Sequence, residues 1–164
     1  MPEDTLLRID PAIPGDIPLI LDFIHELAAY EHEPEAATAT PQQLHQALFG
    51  PRPAAEAAIA RYNGQPAALA LWFQNFSTWT GRPGLWLEDL FVRPDYRRKG
   101  VARAIMGYLA SLAVDRGYGR LEWSALDWNQ PAIDFYATLD SRPMDEWTTY
   151  RLTGPALTRL AAES

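Results

Sequence analysis

Two adjacent carboxylates, Glu88 and Asp89, sit inside an apolar run, Leu87-Glu88-Asp89-Leu90-Phe91-Val92. Carboxylates in such surroundings can take up a proton or hold a cation. Pro94-Asp95 breaks the run, and a basic turn follows: Arg97-Arg98-Lys99-Gly100-Val101-Ala102. Behind it, Val101, Ala104, Ile105, Tyr108, Leu109, Leu112 and Ala113 recur at helical spacing. A strand, a basic turn and a helix start together make a cradle for a phosphate. The first N–H groups of a helix lack internal partners, and the helix dipole favours negative charge there. Gly100 and Ala102 let an anion approach the backbone, and Arg97, Arg98 and Lys99 surround it with positive charge. The spacing is neither that of a Walker loop nor the GxGxxG of a dinucleotide fold. A solvated connection would carry the same residues, so the turn alone leaves both readings open.

Periodicity and turn chemistry outline the elements that position these groups. Leu6 to Asp10 reads as a first strand. Asp16 stands where it can cap a helix whose Ile17, Ile20, Leu21, Ile24, Leu27 and Ala28 share a face. That helix ends near Tyr30, in the acidic segment Tyr30-Glu31-His32-Glu33. Thr40-Pro41 opens a second helix, which Gly50-Pro51 stops. Asn63-Gly64, between Ala55 to Tyr62 and Gln65 to Phe76, is a strong hairpin signal. Ser77 to Gly84 reads as a loop and Leu85 to Val92 as the central strand. The long helix after the basic turn runs to about Arg116. Leu121 to Leu126 reads as another strand. Asp127 to Pro131 turns into a helix carrying Ile133, Phe135, Tyr136 and Leu139. Trp147 to Leu152 reads as a late strand, and Pro155 to Ala162 as a last helical turn or two. With no repeat and no linker, the expectation is a single mixed α/β domain over residues 1–164.

Composition narrows the function. The 164 residues are 48% apolar, with six Trp, seven Tyr and six Phe, enough for a real core. A formal net charge of −7 argues against a nucleic-acid-binding protein and suits a cationic substrate. The chain has no Cys, which excludes disulfides, thiolate metal sites and a cysteine nucleophile. His25, His32 and His45 show no metal-ligand spacing, so no metal is expected. No apolar run approaches the roughly 18 residues that span a bilayer, so no membrane role is expected. The acidic start Met1-Pro2-Glu3-Asp4 does not look like a signal peptide, and a cytoplasmic location is expected.

The pattern Arg-x-x-Gly-x-Ala from Arg97 to Ala102, with a strand before and a helix after, resembles the diphosphate loop of the GNAT superfamily of N-acetyltransferases. Leu85 to Val92, Asp127 to Tyr136 and Ile24 to Glu31 are similar to one branch, the acetyltransferases of diamines, polyamines (spermidine and spermine) and thialysine. The resemblance implies a mixed, mostly antiparallel central sheet flanked by helices, with a splayed pair of parallel strands at the coenzyme site. It implies acetyl-CoA as co-substrate and a small primary amine as acceptor. It also implies a homodimer, for which Trp147 to Leu152 offers an interface. With no cysteine to carry an acyl group, transfer is expected to be direct, in a ternary complex.

The same resemblance assigns roles. The coenzyme's diphosphate falls to Arg97, Arg98, Lys99, Gly100, Val101 and Ala102, and its pantetheine arm to the backbone of Leu90, Phe91 and Val92. Asn129 either touches that arm or simply caps its helix. Glu88 is implied as the general base, acting through a water. Tyr136, of the Phe135-Tyr136 pair, is implied as the acid that protonates the leaving sulfur. Adjacent residues of a regular strand face opposite sides, so Glu88 and Asp89 share the site only if a bulge re-aims one of them. Such a bulge is a feature of the family. Tyr30, Glu31 and Trp86 then line the amine pocket with Glu88 and Asp89. Tyr30 to Glu33 reads equally as a solvated helix end, and Trp86 equally as core or dimer packing.

Departures from the branch bear on the acceptor. Asp140 stands where the family has a helix-ending glycine, Arg98 where the diamine branch has an extra glycine, and Ala102 where it has the last one. Ala137, Thr138 and Leu139 replace basic residues. These changes spare coenzyme binding and put polyamine specificity in question. Acetylation of a protein amine or an aminoglycoside, and a non-catalytic acyl-CoA-binding module, are the alternatives.

Overall fold

The computed structural model describes Leu6–Ser164; the acidic start, Met1 to Asp4, lies outside these residues. The described chain forms two compact units, one ending at Ser124 and one comprising Ala125–Ser164.

The first unit is built on a five-stranded sheet in sequential order: β1 (Leu7–Pro11), β2 (Glu56–Tyr62), β3 (Gln65–Ser77), β4 (Arg82–Val92) and β5 (Leu121–Trp123). The pairs are antiparallel except β4 and β5, which are parallel. Asn63 and Gly64 join β2 to β3 with φ of 51° and 80°, as a two-residue hairpin turn requires. Helices cover both faces, so the middle strands lack polar alternation. Ala57, Ala58, Ala60, Ala67, Ala68 and Ala70 are all buried, and their small side chains admit the helices closely.

On one face lie α1 (Ile17–Tyr30) and α2 (Pro41–Phe49). Ile17, Ile20 and Phe23 of α1 meet Leu44 and Leu48 of α2 over Ile59, Leu69 and Phe91 of the sheet. Phe23 and Ile20 are fully buried, each contributing roughly 1.5–3 kcal/mol. The second helix starts with a capping box: Thr40 Oγ1 accepts from Gln43 N–H, and Gln43 Oε1 accepts from Thr40 N–H. On the opposite face lies α3 (Val101–Asp115), whose Val101, Ile105, Met106, Leu109 and Ala113 are buried. The second unit contains α4 (Gln130–Ala137) and α5 (Gly154–Ala162). Among the described residues no helix is long and apolar enough to cross a membrane.

Four expectations change. Asp16 does not cap α1: its carboxylate accepts from Ile13 N–H at 2.9 Å, closing a short 3-10 turn, and pairs with Arg61 at 3.3 Å. Asp16 stands at the N-cap, but its backbone is already helical, with φ of −85° and ψ of −4°, and its carboxylate serves the turn before the helix. The loop after β3 shrinks to Thr78–Gly81, because β3 and β4 stay paired out to Ser77 and Arg82. Gly81, with φ of 66°, makes that tight return possible. The strand read as Leu121 to Leu126 stops at Trp123, for a reason described below. Finally, Trp147 to Leu152 is not a strand. The sheet has five strands and this segment is not one of them, so its β-favouring side chains have no ladder to join.

Candidate active site

The register between β3 and β4 slips by one residue: Leu71 faces Asp89, but Trp72 faces Leu87. Glu88 is the extra residue of a β-bulge. Residues directly opposite one another share a face of the sheet. Leu71 packs with the α1–α2 cluster, whereas Trp72 meets Tyr108 of α3 edge-on, with ring centroids 6.3 Å apart. Asp89 is therefore on the α1 side and Leu87 on the α3 side. Trp86, one residue earlier, is back on the α1 side, and its Nε1 donates to Glu88 Oε1 at 3.2 Å. The bulge thus gathers both carboxylates on one face, which regular alternation forbids.

A third carboxylate, Glu31, stands directly after α1. Burial, followed by the negative charges of Glu88 and Glu31, pushes the Asp89 carboxyl up to about 6. Burial also raises that of Glu31. Among the described residues none of the three has a salt-bridge partner. Glu88 is exposed, and Asp89 and Glu31 are partly buried; like charges set so close together attract a cation and stabilise an ammonium placed among them. Among the described residues no group of three or more His, Asp or Glu is arranged to hold a metal ion.

The bulge also opens the sheet. The β4–β5 ladder runs Leu85–Leu121, Trp86–Glu122, Leu87–Trp123 and ends there, because the next position on β4 is the bulged Glu88. Beyond it, β4 keeps its β3 partner but has a bare second edge. Arg93 N–H donates to Ala67 O at 2.9 Å, and pairs Phe91–Leu69 and Asp89–Leu71 follow at every second step. Leu90 and Val92, in between, turn their N–H and C=O groups outward. Of the three residues expected to meet a pantetheine arm, these two present backbone to the open edge, and Phe91 spends its own on β3.

The basic turn begins where that edge ends. Arg98, with φ of 62°, and Gly100, with φ of 77°, both take the left-handed conformation that swings the chain into α3. Gly100 is the N-cap and supplies no side chain; a Cβ there would meet nothing within 4 Å. The first intrahelical bond is Ala104 N–H to Gly100 O at 3.0 Å, so the N–H groups of Val101 and Ala102 precede it. Arg97 folds back: its Nε donates to Val92 O at 3.1 Å, and its guanidinium lies 5.0 Å from the Tyr30 ring and 5.9 Å from that of Phe91. Lys99 Nζ lies 5.5 Å from the Tyr62 ring. Tyr30, expected at the amine pocket, thus also supports the basic turn.

Arg93 joins the site through a contact that the sequence does not signal. Its guanidinium grips Glu26 of α1 with two bonds, of 3.0 and 2.9 Å, over the Phe23 ring at 4.4 Å. It fixes the end of β4, where the turn departs, to the helix that ends in Tyr30 and Glu31. Its partner is 67 residues away, and no local pattern announces such a pair.

Asn129 and Tyr136 belong to the second unit. Asn129 sits at the N-cap of α4 without a side-chain cap bond; its carbonyl accepts from Ile133 N–H at 3.1 Å. Tyr136 is half-buried, its ring 5.7 Å from that of Phe135. Ser141 Oγ donates to Tyr136 O at 2.7 Å. Asp140 takes φ of 59°, the left-handed turn that a glycine makes more easily.

The acetyltransferase (GNAT) family profile matches residues 21–140. The chain is 37% identical over 147 residues to the thialysine N-epsilon-acetyltransferase of Caenorhabditis elegans, spanning 88% of this chain and 90% of that protein. It is 29% identical over 195 aligned positions to an L-ornithine N5-acetyltransferase of Arabidopsis thaliana, spanning 92% and 86%. Among solved structures, an integron cassette protein from the mobile metagenome of V. cholerae superposes with a TM-score of 0.79 at 24% identity, covering 95% of this chain and 98% of that one. An aminoglycoside acetyltransferase from an uncultured soil sample gives 0.77 at 15% identity, covering 92% and 97%. At these identities the structural likeness concerns the fold alone.

Proposed function

This chain belongs to the acetyltransferase (GNAT) family and is an N-acetyltransferase, and on that premise we propose that it moves an acetyl group from acetyl-CoA to a primary amine of a small molecule. The acceptor is a diamine, a polyamine or a thialysine-like amino acid. The observation that carries this reading is the gathering of Glu31, Glu88 and Asp89, without a salt-bridge partner among the described residues, beside the open edge of β4. The names of the thialysine and ornithine acetyltransferases above point to the same class of acceptor.

The residues fit the coenzyme. The outward N–H and C=O of Leu90 and the outward N–H of Val92 can pair with the pantetheine amides as an added strand does, the Val92 carbonyl being taken by Arg97. The N–H groups of Val101 and Ala102, with the nearby basic side chains, suit the diphosphate. The acceptor arrives as an ammonium, since an alkyl amine has a pKa near 10.4. The carboxylates draw it in, Asp89 and Glu31 holding charge while Glu88 takes one proton through a water. The freed lone pair attacks the thioester carbon. The C–N bond forms, the C–S bond breaks, the Tyr136 phenol gives its proton to the departing thiolate, and the nitrogen sheds its second proton to solvent to leave the neutral amide. Tyr136 then recovers a proton from solvent. Trp86 orients Glu88 through its indole N–H and offers the alkyl chain an aromatic wall.

The chain works as a homodimer in this reading. Trp147, Tyr150 and Leu152 are 70%, 93% and 47% exposed, in a segment with β-favouring residues and no strand partner. A second copy would cover them, and light scattering reads the mass directly.

The test of function is release of free coenzyme A from acetyl-CoA with thialysine, ornithine, putrescine, spermidine, an aminoglycoside and a lysine peptide. Turnover with one of the first four, lost in Tyr136→Phe, is the expected result. Turnover confined to the aminoglycoside or the peptide would overturn the acceptor class. Saturable acetyl-CoA binding with no acetylated amine would overturn the enzyme mechanism.

A further inference from the structure

The helix α1 brings its end into the site, but its firmest anchors are at its start. Its buried residues, Ile17, Ile20 and Phe23, all lie in the first half. Ile24, Leu27 and Tyr30 of the second half are only partly buried against the core. Tyr30 and Glu31, assigned above to the amine, stand where that less buried half ends. The Tyr30 ring lies 6.3 Å from that of Phe91. Phe91 and Asp89 face Leu69 and Leu71 across the β3–β4 ladder, so they share a face of β4 two residues apart. The end of α1 therefore stands on the Asp89 side of the strand, and a small tilt of the helix would shift it.

Arg93 acts on this half of the helix. Its Nε and Nη2 donate to both oxygens of Glu26, at 3.0 and 2.9 Å, about one turn before Tyr30. The guanidinium lies 4.4 Å from the centre of the Phe23 ring. The other side of the grip is fixed to the sheet. Arg93 N–H donates to Ala67 O at 2.9 Å, and Nη1 donates to Pro66 O at 3.3 Å. A planar fork fixes direction as well as distance, which a single point charge does not. Arg93 is not among the groups assigned to acetyl-CoA or to the amine.

We propose that Arg93 is a positioning residue for amine binding: by holding Glu26 it sets where the end of α1, with Tyr30 and Glu31, stands beside Asp89. The proposal rests on the reading of the three carboxylates as the amine site. Without the grip, repulsion among those carboxylates drives the end of α1 outward, and the ammonium loses a partner. The coenzyme groups on β4, the basic turn and α3 keep their own bonds; Arg97 Nε, for one, still has Val92 O.

The test is steady-state kinetics with the preferred amine. Arg93→Met keeps an unbranched stem over Phe23 and removes the fork. It should raise the amine KM about tenfold and leave kcat and the acetyl-CoA KM within about twofold of native. Glu26→Gln keeps the shape of a partly exposed side chain, so it decides the matter if Arg93→Met does not fold. It should raise the amine KM by the same factor. The double variant should be no worse than either single one, because each removes the same grip. A loss spread evenly over kcat and both KM values marks a merely structural role and would overturn the proposal. So would an unchanged amine KM in Glu26→Gln, or single effects that multiply in the double variant.

If the native chain acetylates none of the amines, the reading of the site has failed, and Arg93 is judged without substrate. The Asp89 carboxyl, followed by 13C NMR and assigned by its loss in Asp89→Asn, should titrate near 6 in the native chain. Besides burial, Glu88 on β4 and Glu31 after α1 are the charges that raise it. In Arg93→Met it should titrate lower, because Glu31 draws away. An unchanged titration would overturn the proposal.

Discussion

The sheet carries two carboxylate sites of opposite character. At one, Asp89 shares a face of the sheet with Glu88, feels the charge of Glu31 and has no salt-bridge partner among the described residues; its carboxyl is pushed up to about 6. At the other, Glu56 is chelated by Arg116, and its carboxyl is held low despite partial burial. Burial raises both; a bidentate guanidinium reverses the sign at one of them. A matched carboxylate ties α3 to β2. An unmatched one lowers the stability of the empty protein and gains when an ammonium arrives. The sign of the pH dependence follows. Glu56 contributes stability above its unfolded value near 4.5, which is lost as the pH falls through its depressed folded value. Asp89 binds its proton more tightly in the folded state, so it adds stability as the pH falls from about 6 towards 3.8 and withdraws it above.

The largest expected effect is at the chemical step. Glu88→Gln and Tyr136→Phe should each lower kcat by about 10²–10³ with little change in acetyl-CoA affinity, measured by steady-state kinetics and calorimetry. Asp89→Asn should lower kcat/KM for the amine by about 10–100-fold and yet raise stability at pH 7 by on the order of 2 kcal/mol, seen as a higher midpoint in denaturant. A loss of stability instead would erase the contrast between the two sites. Arg116→Met should do the reverse: destabilise by about 1 kcal/mol, since the pair is partly exposed, and leave the amine KM where it was. The smallest effect is at Arg98. Its left-handed backbone suits glycine better, so Arg98→Gly should raise stability by about 0.5–1 kcal/mol, read from the melting midpoint.

The features legible in the sequence are local. Asn63-Gly64, Thr40-Pro41, and the strand–turn–helix from Leu85 to Asp115 each carry their signal within a few residues, and each appears as expected. Asp140 and Arg98, read as departures from glycine, are found with the positive φ that a glycine would relieve. The bulge is different. Strand alternation allowed only one of Glu88 and Asp89 on a face, and the slip that gathers both depends on which β3 residue each one meets. That same slip ends β5 at Trp123, three residues short of the expected Leu126. Arg93 and Glu26, and Arg116 and Glu56, are joined only by folding. Trp147 to Leu152 has the composition of a strand but no partner, and composition cannot supply one.

The most direct measurement is kcat/KM for the preferred amine between pH 4.5 and 8, in the native chain and in Asp89→Asn. Glu88 and Glu31, the charges that face Asp89, are unchanged in both proteins. The native profile should fall on the acid side with an apparent ionisation near 6, and that limb should vanish or move to lower pH in Asp89→Asn. An acid limb near 6 that survives the substitution unchanged would contradict the assignment of the unmatched carboxylates to the amine.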